Sequence, residues 1–293
     1  MPTTTETASA RFAEIENWTT EELVDGIVEG QFTAIAAVRA AAPAIAGAID
    51  AAAARLKQGG RLIYVGAGTS GRIAAQDAAE LPPTFSWPYE RAVPVMAGGE
   101  PALLRAAEGA EDDGAAARRA LAEMEIGPSD VVVSLAASGR TPFAVAALEE
   151  ARARGSLAIG IFNNPGSRLG AVSDIAIFLD TGPEFIAGST RMKAGTAQKA
   201  ALNALSTGIM IRLGFVYRGK MVEMRLSNAK LHDRAEKMVA ELTGATVETA
   251  RETLAKSGNR ISLAVVMLEK QLSAPEAEKR LTAAGGNLRE ALR

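Results

Sequence analysis

The chain has 293 residues, a net charge of −2 at pH 7 and 48% hydrophobic residues, so it is long enough to bury a sizeable core. The near-neutral charge and the 4% of aromatic residues give no general reason to expect nucleic-acid binding. The absence of cysteine excludes disulfides and thiolate metal sites, and the single histidine, His232, excludes a multi-histidine metal site.

The first part of the chain is predicted to be helical. It begins without a basic segment followed by an apolar block, so we expect no secretory signal. In residues 19–22 two threonines precede two glutamates, which provides a hydroxyl cap and acids in the first turn and is typical of a helix start. The alanine-rich segment 34–54 is interrupted by Arg39 and Asp50, so it is interpreted as a packed helix and not as a membrane span. We therefore expect a cytoplasmic protein that does not bind membranes.

Apolar runs alternate with helical patterns through the middle of the chain. This alternation predicts an α/β fold with a doubly wound parallel sheet. After Gly188 the pattern is helical to the end, with breaks at Pro275 and at the glycine pair 285–286. The predicted layout is an N-terminal helical arm at 1–57, an α/β domain at 58–218 and a small C-terminal helical module at 219–293. The predicted strands are 62–65, 93–97, 131–135, 157–162 and 175–179, and the helices between them include 70–79, 114–124 and 142–154.

The segment GAGTSG, residues 66–71, follows the first predicted strand and opens a helix. It fits the pattern G-x-G-x-x-G of dinucleotide-binding turns, which also requires an acid about 20 residues further on, after a second strand. Glu90 lies at that distance but precedes the next apolar run. The other interpretation is a phosphate site formed by the helix N-terminus, Gly68 and the hydroxyls of Thr69 and Ser70.

A second loop of the same kind follows the strand predicted at 131–135, and it presents Ser138, Gly139, Arg140 and Thr141 ahead of a helix. Because ligands bind beyond the carboxyl ends of parallel strands, two such loops can converge on one ligand and donate hydrogen bonds to a terminal phosphate. The alternative is that both loops are tight turns whose hydroxyls cap the following helices. The presence of a pair favours the phosphate site.

A third polar segment, residues 184–208, precedes and opens a long apolar helix, and it contains Ser189 and Lys193 among several hydroxyl and basic residues. Cations at a helix N-terminus oppose the helix dipole, which is explained if an anion or the carboxylate of a partner lies there. The alternative is an ordinary amphipathic helix whose basic residues face solvent.

Several segments together resemble the N-acetylmuramic acid 6-phosphate etherases, which have the sugar isomerase (SIS) fold. The resemblance runs from about residue 20 into the C-terminal helices. Its most specific parts are GSTRMKAGTAQK at 188–199 and the glutamate in AELPPT. The sequence departs from the family at Ala79 and Leu81, where Ser and Cys are usual. The matching segments are YVGAGTSGR, DAAELPPTF, AEGAEDD, AASGRTP, NNPGS and GSTRMKAGTAQK.

The resemblance implies a lyase of peptidoglycan recycling that cleaves the D-lactyl ether of N-acetylmuramic acid 6-phosphate to N-acetylglucosamine 6-phosphate and lactate. It also implies a cytoplasmic homodimer that needs no cofactor and no metal. The family's two functional glutamates map by motif onto Glu80, expected to be the acid at the lactyl oxygen, and Glu111, expected to be the base at carbon 2. The residues predicted to bind the sugar phosphate are Gly68, Thr69, Ser70, Ser138, Gly139, Arg140, Thr141, Ser189 and Lys193.

Other functions stay open at this point. A non-catalytic sugar-phosphate regulator has the same fold, and an aldose–ketose isomerase also removes the proton on carbon 2 but releases no lactate. A nicotinamide-dependent enzyme is less favoured. Without the resemblance, Glu80 is a helix-end acid and Glu111 belongs to a solvated helix start. The same acids suit Mg²⁺, although ether cleavage needs proton transfer more than a Lewis acid. The presence of both glutamates favours the etherase.

Overall fold

The computed structural model describes residues 4–293, which form two compact units. The first unit comprises residues 4–79 and Tyr89–Gly208, and the second comprises Glu80–Pro88 and Ile209–Arg293. The three-part division expected from the sequence stays a prediction. The helices that begin in the first unit are α1 (Thr20–Ala40), α2 (Ala42–Leu56), α3 (Gly68–Phe85), α4 (Gly114–Glu123), α5 (Pro142–Ala153), α6 (Arg168–Ala171) and α7 (Lys193–Leu213).

Five parallel strands form the central sheet of the first unit, in the order β2-β1-β3-β4-β5. All residues of β1, β3 and β4 are buried, because helices pack against the sheet. The predicted doubly wound α/β fold is confirmed, and each strand lies within one residue of its predicted bounds. The strands are β1 (Leu62–Gly66), β2 (Ala92–Met96), β3 (Val131–Ala136), β4 (Leu157–Phe162) and β5 (Ile175–Phe178).

The direction of the strand order reverses beside β1. From β1 the chain passes through α3 to β2 on one side, and it then returns to β3 on the other side. In open parallel sheets the ligand crevice lies outside the carboxyl ends of the strands at such a reversal. The topology therefore points to the loops after β1 and β3, which are the two loops that the sequence singled out.

The predicted start of the N-terminal helix is confirmed. Thr19 caps α1 through a capping box, in which its hydroxyl accepts from the backbone N–H of Glu22 and its own N–H donates to that carboxylate at 2.7 Å. In α2, Ala48 and Ala52 are fully buried, as expected of a packed helix. Among residues 4–293, no single helix is both long and apolar enough to cross a membrane; α1 and α2 meet the criteria of length and composition only as a pair, with a bend of 56° between them.

An ion pair ties the amino ends of β1 and β3 together. The carboxylate of Asp130 accepts hydrogen bonds from the backbone N–H and the guanidinium of Arg61, at 2.8 and 2.7 Å, and from the backbone N–H of Gly127 at 2.9 Å. Burial acts to raise the pKa of Asp130, but these hydrogen bonds and the charge of Arg61 outweigh it, so the pKa lies below its ordinary value.

The second unit has its own core, which includes Val222, Leu254 and Val265. Its short β-hairpin was not predicted, since the sequence after Gly188 was interpreted as helical throughout. The turn residues Arg218 and Gly219 both have positive φ, at 47° and 73°, which is the geometry of a tight two-residue hairpin. Its elements are β6 (Val216–Tyr217), β7 (Lys220–Met221), α8 (Ala229–Thr243), α9 (Val247–Lys256), α10 (Ile261–Lys270), α11 (Ala274–Ala283) and α12 (Leu288–Ala291).

Candidate active site

A cleft of about 550 Å³ opens at the carboxyl ends of β1 and β3. Its size is within the usual range for sites that bind small molecules. The loop after β1, the loop after β3 and the acidic segment before α4 all contribute to its wall. The structure therefore brings together most of the residues that the sequence selected. The predicted residues in this wall are Gly68, Thr69, Ser70, Ser138, Arg140, Thr141 and Glu111.

The hydroxyl of Ser70 is engaged inside the protein. Its Oγ donates to Oε1 of Gln198 at 2.8 Å, and the amide nitrogen of Gln198 donates to Oδ1 of Asn163 at 3.2 Å. A hydroxyl has only one proton, so in this arrangement Ser70 has none left to donate to a phosphate oxygen. Ser70 therefore positions the loop, and its neighbour Thr69 lines the cleft beside it.

Helix α3, which begins at this loop, is held to the sheet by a buried carboxylate. Asp77 accepts hydrogen bonds from the phenol of Tyr64 on β1 at 2.8 Å and from the hydroxyl of Ser206 on α7 at 3.2 Å. Burial and the neighbouring carboxylate raise the pKa of Tyr64, so the phenol stays a donor. The middle of α3 is thus tied to both β1 and α7.

The loop after β3 keeps its hydroxyl protons available. The Oγ of Ser138 accepts from the backbone N–H of Arg140 at 3.2 Å, which leaves its own proton free to be donated. Thr141 precedes α5 but makes no side-chain capping bond, so the predicted alternative of a helix cap does not apply to it. Gly139 has a φ of +64°, and a Cβ there would lie 2.3 Å from the Cβ of Ser167. The conformation of this loop therefore requires glycine.

The acidic segment before α4 divides into two parts. Asp113 caps α4, since its carboxylate accepts from the backbone N–H of Ala116 at 2.8 Å. Glu111 and Asp112 lie in a short 3-10 turn that follows Gly109, and both line the cleft. The alternative of an acidic helix start thus holds for Asp113, whereas the carboxylate of Glu111 lies where it can reach a bound ligand.

The anion expected at the start of α7 is the protein's own Glu184. This buried carboxylate accepts the backbone N–H groups of Lys193 and Ala194, both at 2.9 Å. The side chain of Lys193 is also buried, and burial lowers its pKa although the charge of Glu184 acts to raise it. From this segment Thr190 lines the cleft, whereas Ser189 and Lys193 are not part of its wall. Their contact with a ligand stays a prediction.

Sequence analysis assigned no role to the asparagines that follow β4, since NNPGS was named there only among the segments that carry the family resemblance. The amide nitrogen of Asn164 donates to the carbonyl of Ala137 at 2.8 Å and to the hydroxyl of Thr5 at 3.0 Å. This contact brings the N-terminal segment to the site, where Glu6 lines the cleft. The signal was available, since Asn163 and Asn164 end a buried strand at the same edge of the sheet.

Two further residues that the sequence singled out belong to the second unit. Glu80 is an exposed residue of α3, and His232 lies on α8. The pairing of Glu80 with Glu111 stays a prediction from the motif. As for metals, the part of the chain from residue 4 onward contains no group of three or more His, Cys, Asp or Glu side chains arranged to hold an ion.

A parallel sheet with its cleft at the strand-order reversal is shared by many doubly wound α/β proteins, and comparison with known families identifies this one as a SIS fold. The SIS domain signature matches residues 112–208, and that of the glucokinase regulatory protein N-terminal SIS domain matches residues 44–152. Among solved structures, a phosphoheptose isomerase from Francisella tularensis aligns with a TM-score of 0.50 and 20% identity, over 67% of this chain and 98% of that chain.

Curated relatives define the family more closely. The N-acetylmuramic acid 6-phosphate etherase of Deinococcus radiodurans is 50% identical over 99% of this chain and 95% of its own. The etherases of Rubrobacter xylanophilus and Lactobacillus gasseri are 46% and 44% identical, over 98% and 99% of this chain and 95% and 97% of their own lengths. The chain belongs to the N-acetylmuramic acid 6-phosphate etherase family, which confirms the resemblance seen in the sequence.

Proposed function

We propose that the protein is a lyase that cleaves the D-lactyl ether of N-acetylmuramic acid 6-phosphate, giving N-acetylglucosamine 6-phosphate and D-lactate. The observation that carries this proposal is the convergence of hydroxyl donors, Arg140 and the carboxylate of Glu111 in one cleft. Hydroxyls and a guanidinium suit the 6-phosphate. The carboxylate supplies the proton transfer that ether cleavage needs. The identity of 44–50% to etherases over almost the whole chain supports the same substrate.

Elimination and readdition of water explain how a stable ether can be cleaved by acid–base groups alone. In the ring-opened sugar, the aldehyde acidifies the proton on carbon 2, and the lactyl oxygen on carbon 3 becomes a β leaving group. Removal of the proton and departure of lactate form an unsaturated aldehyde. Water then adds a hydroxyl to carbon 3 and a proton returns to carbon 2, so that atoms balance without an external oxidant or reductant.

The proposed roles are Glu111 as the base at carbon 2 and Glu80 as the acid at the lactyl oxygen, which later handles the water. One carboxyl group must be ionised and the other protonated at the start, so their surroundings in the complex must separate their pKa values. Each positioned proton transfer contributes about 10²–10⁴-fold. The place of Glu111 in the cleft supports its role, whereas the proposal for Glu80 is supported by the AELPPT motif.

A homodimer formed through α1 is part of the proposal. Val24, Val28, Phe32 and Ile35 lie at successive helical spacings on one face of α1, and each is between 50% and 72% exposed. An apolar stripe of this kind on a soluble helix indicates a contact with another protein surface, for which a second copy of this chain is the occupant we propose. Light scattering of the variant Phe32→Asp should show a monomer, whereas a dimer of unchanged stability would rule out this face.

Release of lactate from N-acetylmuramic acid 6-phosphate is the experiment that tests the function. We expect stoichiometric lactate and N-acetylglucosamine 6-phosphate from the purified protein. Binding of the sugar phosphate without lactate would favour the non-catalytic regulator, and conversion of an aldose phosphate to its ketose would favour the isomerase. A cytoplasmic location, as the family resemblance implies, belongs to the same proposal and can be checked by fractionating cells.

A further inference from the structure

A second cavity, of about 370 Å³, adjoins the cleft described above. The two share Ala67, Gly68 and Glu111 in their walls. The carboxylate that we propose as the base therefore borders both spaces. A ligand whose reacting atoms lie against Glu111 in the cleft could therefore place one of its substituents in the adjoining cavity.

Two thirds of the residues in the wall of this cavity are alanine or glycine, and the others are Arg72, Met96, Glu108 and Glu111. Most of the wall comes from the segment that follows β2, which is folded tightly on Gly98. Gly98 has a φ of +81°, and a Cβ there would lie 2.5 Å from the Cβ of Ala107 and 3.2 Å from that of Ala102. Alanines at Ala106 and Ala110 continue the wall. The cavity is thus shaped for a short branched group and is fixed by close packing.

Arg72 brings a guanidinium into this small cavity, whose wall also contains the carboxylates of Glu108 and Glu111. The Nε of Arg72 donates to the carbonyl of Leu103 at 3.0 Å, which fixes the plane of the guanidinium and leaves the terminal nitrogens for other acceptors. Among the described residues in the two walls, each space contains a single basic side chain, Arg72 in the cavity and Arg140 in the cleft. Glu111 lies in the wall that they share.

We propose that this cavity binds the lactyl group of the substrate, with Arg72 paired to the lactyl carboxylate and the alanines against the lactyl methyl group. The inference rests on the proposed function. That substrate has two anionic groups, the phosphate and the lactyl carboxylate, and the ether that breaks lies between them. The two arginines in adjoining spaces, with Glu111 in the common wall, provide one guanidinium for each anionic group of the substrate. The other acids of the two walls are Glu108 in the cavity and Glu6 and Asp112 in the cleft. An arginine suits the task because its planar fork binds a carboxylate through two hydrogen bonds.

The arrangement makes Arg72 a specificity-determining residue. N-acetylglucosamine 6-phosphate keeps the phosphate but lacks the lactyl carboxylate, so it is held by Arg140 and not by Arg72. The substrate is held through both the phosphate and the lactyl carboxylate, whereas after cleavage each product carries only one of these groups. Each product is therefore bound more weakly than the substrate, which favours its release. The neutral acetamido group on carbon 2 is the other group of suitable size for the cavity. The acetamido group could pack against the alanines of the wall, but because it is neutral it would gain little from the charge of Arg72.

The test compares substrate and product in the same variant. In Arg72→Met, we expect KM for N-acetylmuramic acid 6-phosphate to rise about 10- to 100-fold, the range for loss of a charged hydrogen bond. The inhibition constant of N-acetylglucosamine 6-phosphate should stay within about twofold of its wild-type value. Arg72→Lys should give an intermediate KM, since it keeps the charge without the fork. Arg105→Met, at an exposed arginine of the segment that follows β2 and outside the cavity wall, is the control, and both constants should be unchanged.

Equal changes in both constants would overturn the proposal, because they would assign Arg72 to the sugar, the acetamido group or the loop structure. An unchanged KM would overturn it as well. If Arg72→Met does not fold, Ala106→Leu fills the same cavity without changing its charge, and the same divergence between substrate and product is expected. Wild-type protein that releases no lactate would instead contradict the proposed function, so the two failures are distinguishable.

Discussion

At the amino ends of β1 and β3, Asp130 accepts hydrogen bonds from Arg61 and Gly127, all within the protein. At the carboxyl ends of the same two strands, the hydroxyl proton of Ser138 and the guanidinium of Arg140 face a cleft. A polar group whose partners are internal contributes to stability, whereas one that keeps its donors available can contribute to binding. In β1 and β3, the polar groups that stabilise the fold thus lie at one end and those available for a ligand at the other end, about six residues away along β3.

The largest effect is expected from Glu111→Gln, which keeps the size of the side chain but removes the base. Lactate release should fall by about 10²–10⁴-fold, while the dissociation constant of N-acetylglucosamine 6-phosphate changes little, because the phosphate-binding loops are intact. Stopped assays with a coupled lactate detection would measure it. Glu123→Gln, an exposed glutamate of α4, is the control. Near-normal turnover in Glu111→Gln would remove this residue from the mechanism. Glu80→Gln tests the partner assignment in the same assay.

At the opposite end of the sheet, Asp130→Asn should affect stability and not catalysis. It leaves the guanidinium of Arg61 without its charged partner, and we expect the free energy of unfolding in urea to fall by about 3 kcal/mol. KM should stay within about twofold of wild type. The surface pair of Asp233 and Lys237 supplies the control, since Asp233→Asn should cost less than about 0.5 kcal/mol. If Asp130→Asn kept the wild-type free energy of unfolding but raised KM, the amino ends of the strands would contribute to binding, contrary to this division.

The pH dependence of stability sharpens the same comparison. Because the pKa of Asp130 in the folded protein lies below its ordinary value of 3.8, its stabilising contribution is present above that pH and is lost as the pH falls through the folded value. Asp130→Asn should therefore lose less stability than wild type between neutral pH and acid. Parallel acid denaturation curves for the two proteins would contradict this account.

Removing the positive charge of Arg140 from the cleft should have a smaller effect, confined to binding. In Arg140→Met, KM for the substrate and the inhibition constant of the product should both rise about 10-fold or more, because both ligands carry the phosphate. The unfolding free energy should change little, since Arg140 is exposed. Arg119→Met, on the exposed surface of α4, is the control. If only KM for the substrate rose, Arg140 would not be a contact of the phosphate, which both ligands carry.

The smallest pair of effects compares two serines that sequence analysis treated alike. Ser138→Ala removes an available donor, so KM should rise about 2- to 10-fold with stability unchanged. Ser70→Ala removes the bond to Gln198, so the unfolding free energy should fall by about 1 kcal/mol. Kinetics and urea unfolding on both variants measure the difference. If both serines changed KM to the same extent, Ser70 would also act as a ligand-binding donor.

Local patterns were sufficient to predict the sheet and the two loops at its carboxyl edge. The buried strands are continuous apolar runs, and the loops combine glycine with hydroxyl residues just after them. Helix α3, however, does not end at Ala79 as predicted, but continues through Pro82 and Pro83 to Phe85. The prolines alone therefore did not mark the end of this helix.

Contacts between distant residues could not be predicted in this way. The bond from Ser70 to Gln198 and the bonds between Thr5 and Asn164 join segments that are more than 100 residues apart. Nothing in the local pattern around Glu184 distinguished it from a surface acid, yet it is the anion that the basic start of α7 required. Which polar groups remain available for a ligand depends on such pairings, so the sequence indicated the loops but not the division of roles within them.

Turnover in ¹⁸O-labelled water tests the central claim most directly. The wild-type protein converts N-acetylmuramic acid 6-phosphate in labelled water, and the sugar product is reduced at carbon 1 before mass spectrometry. A control in which unlabelled product is kept in labelled water measures the ¹⁸O that enters at the aldehyde by exchange. Elimination followed by addition of water predicts one ¹⁸O at carbon 3 of N-acetylglucosamine 6-phosphate and unlabelled lactate. Label in the lactate, with none at carbon 3, would show that water attacks the lactyl carbon and would contradict elimination at carbon 3.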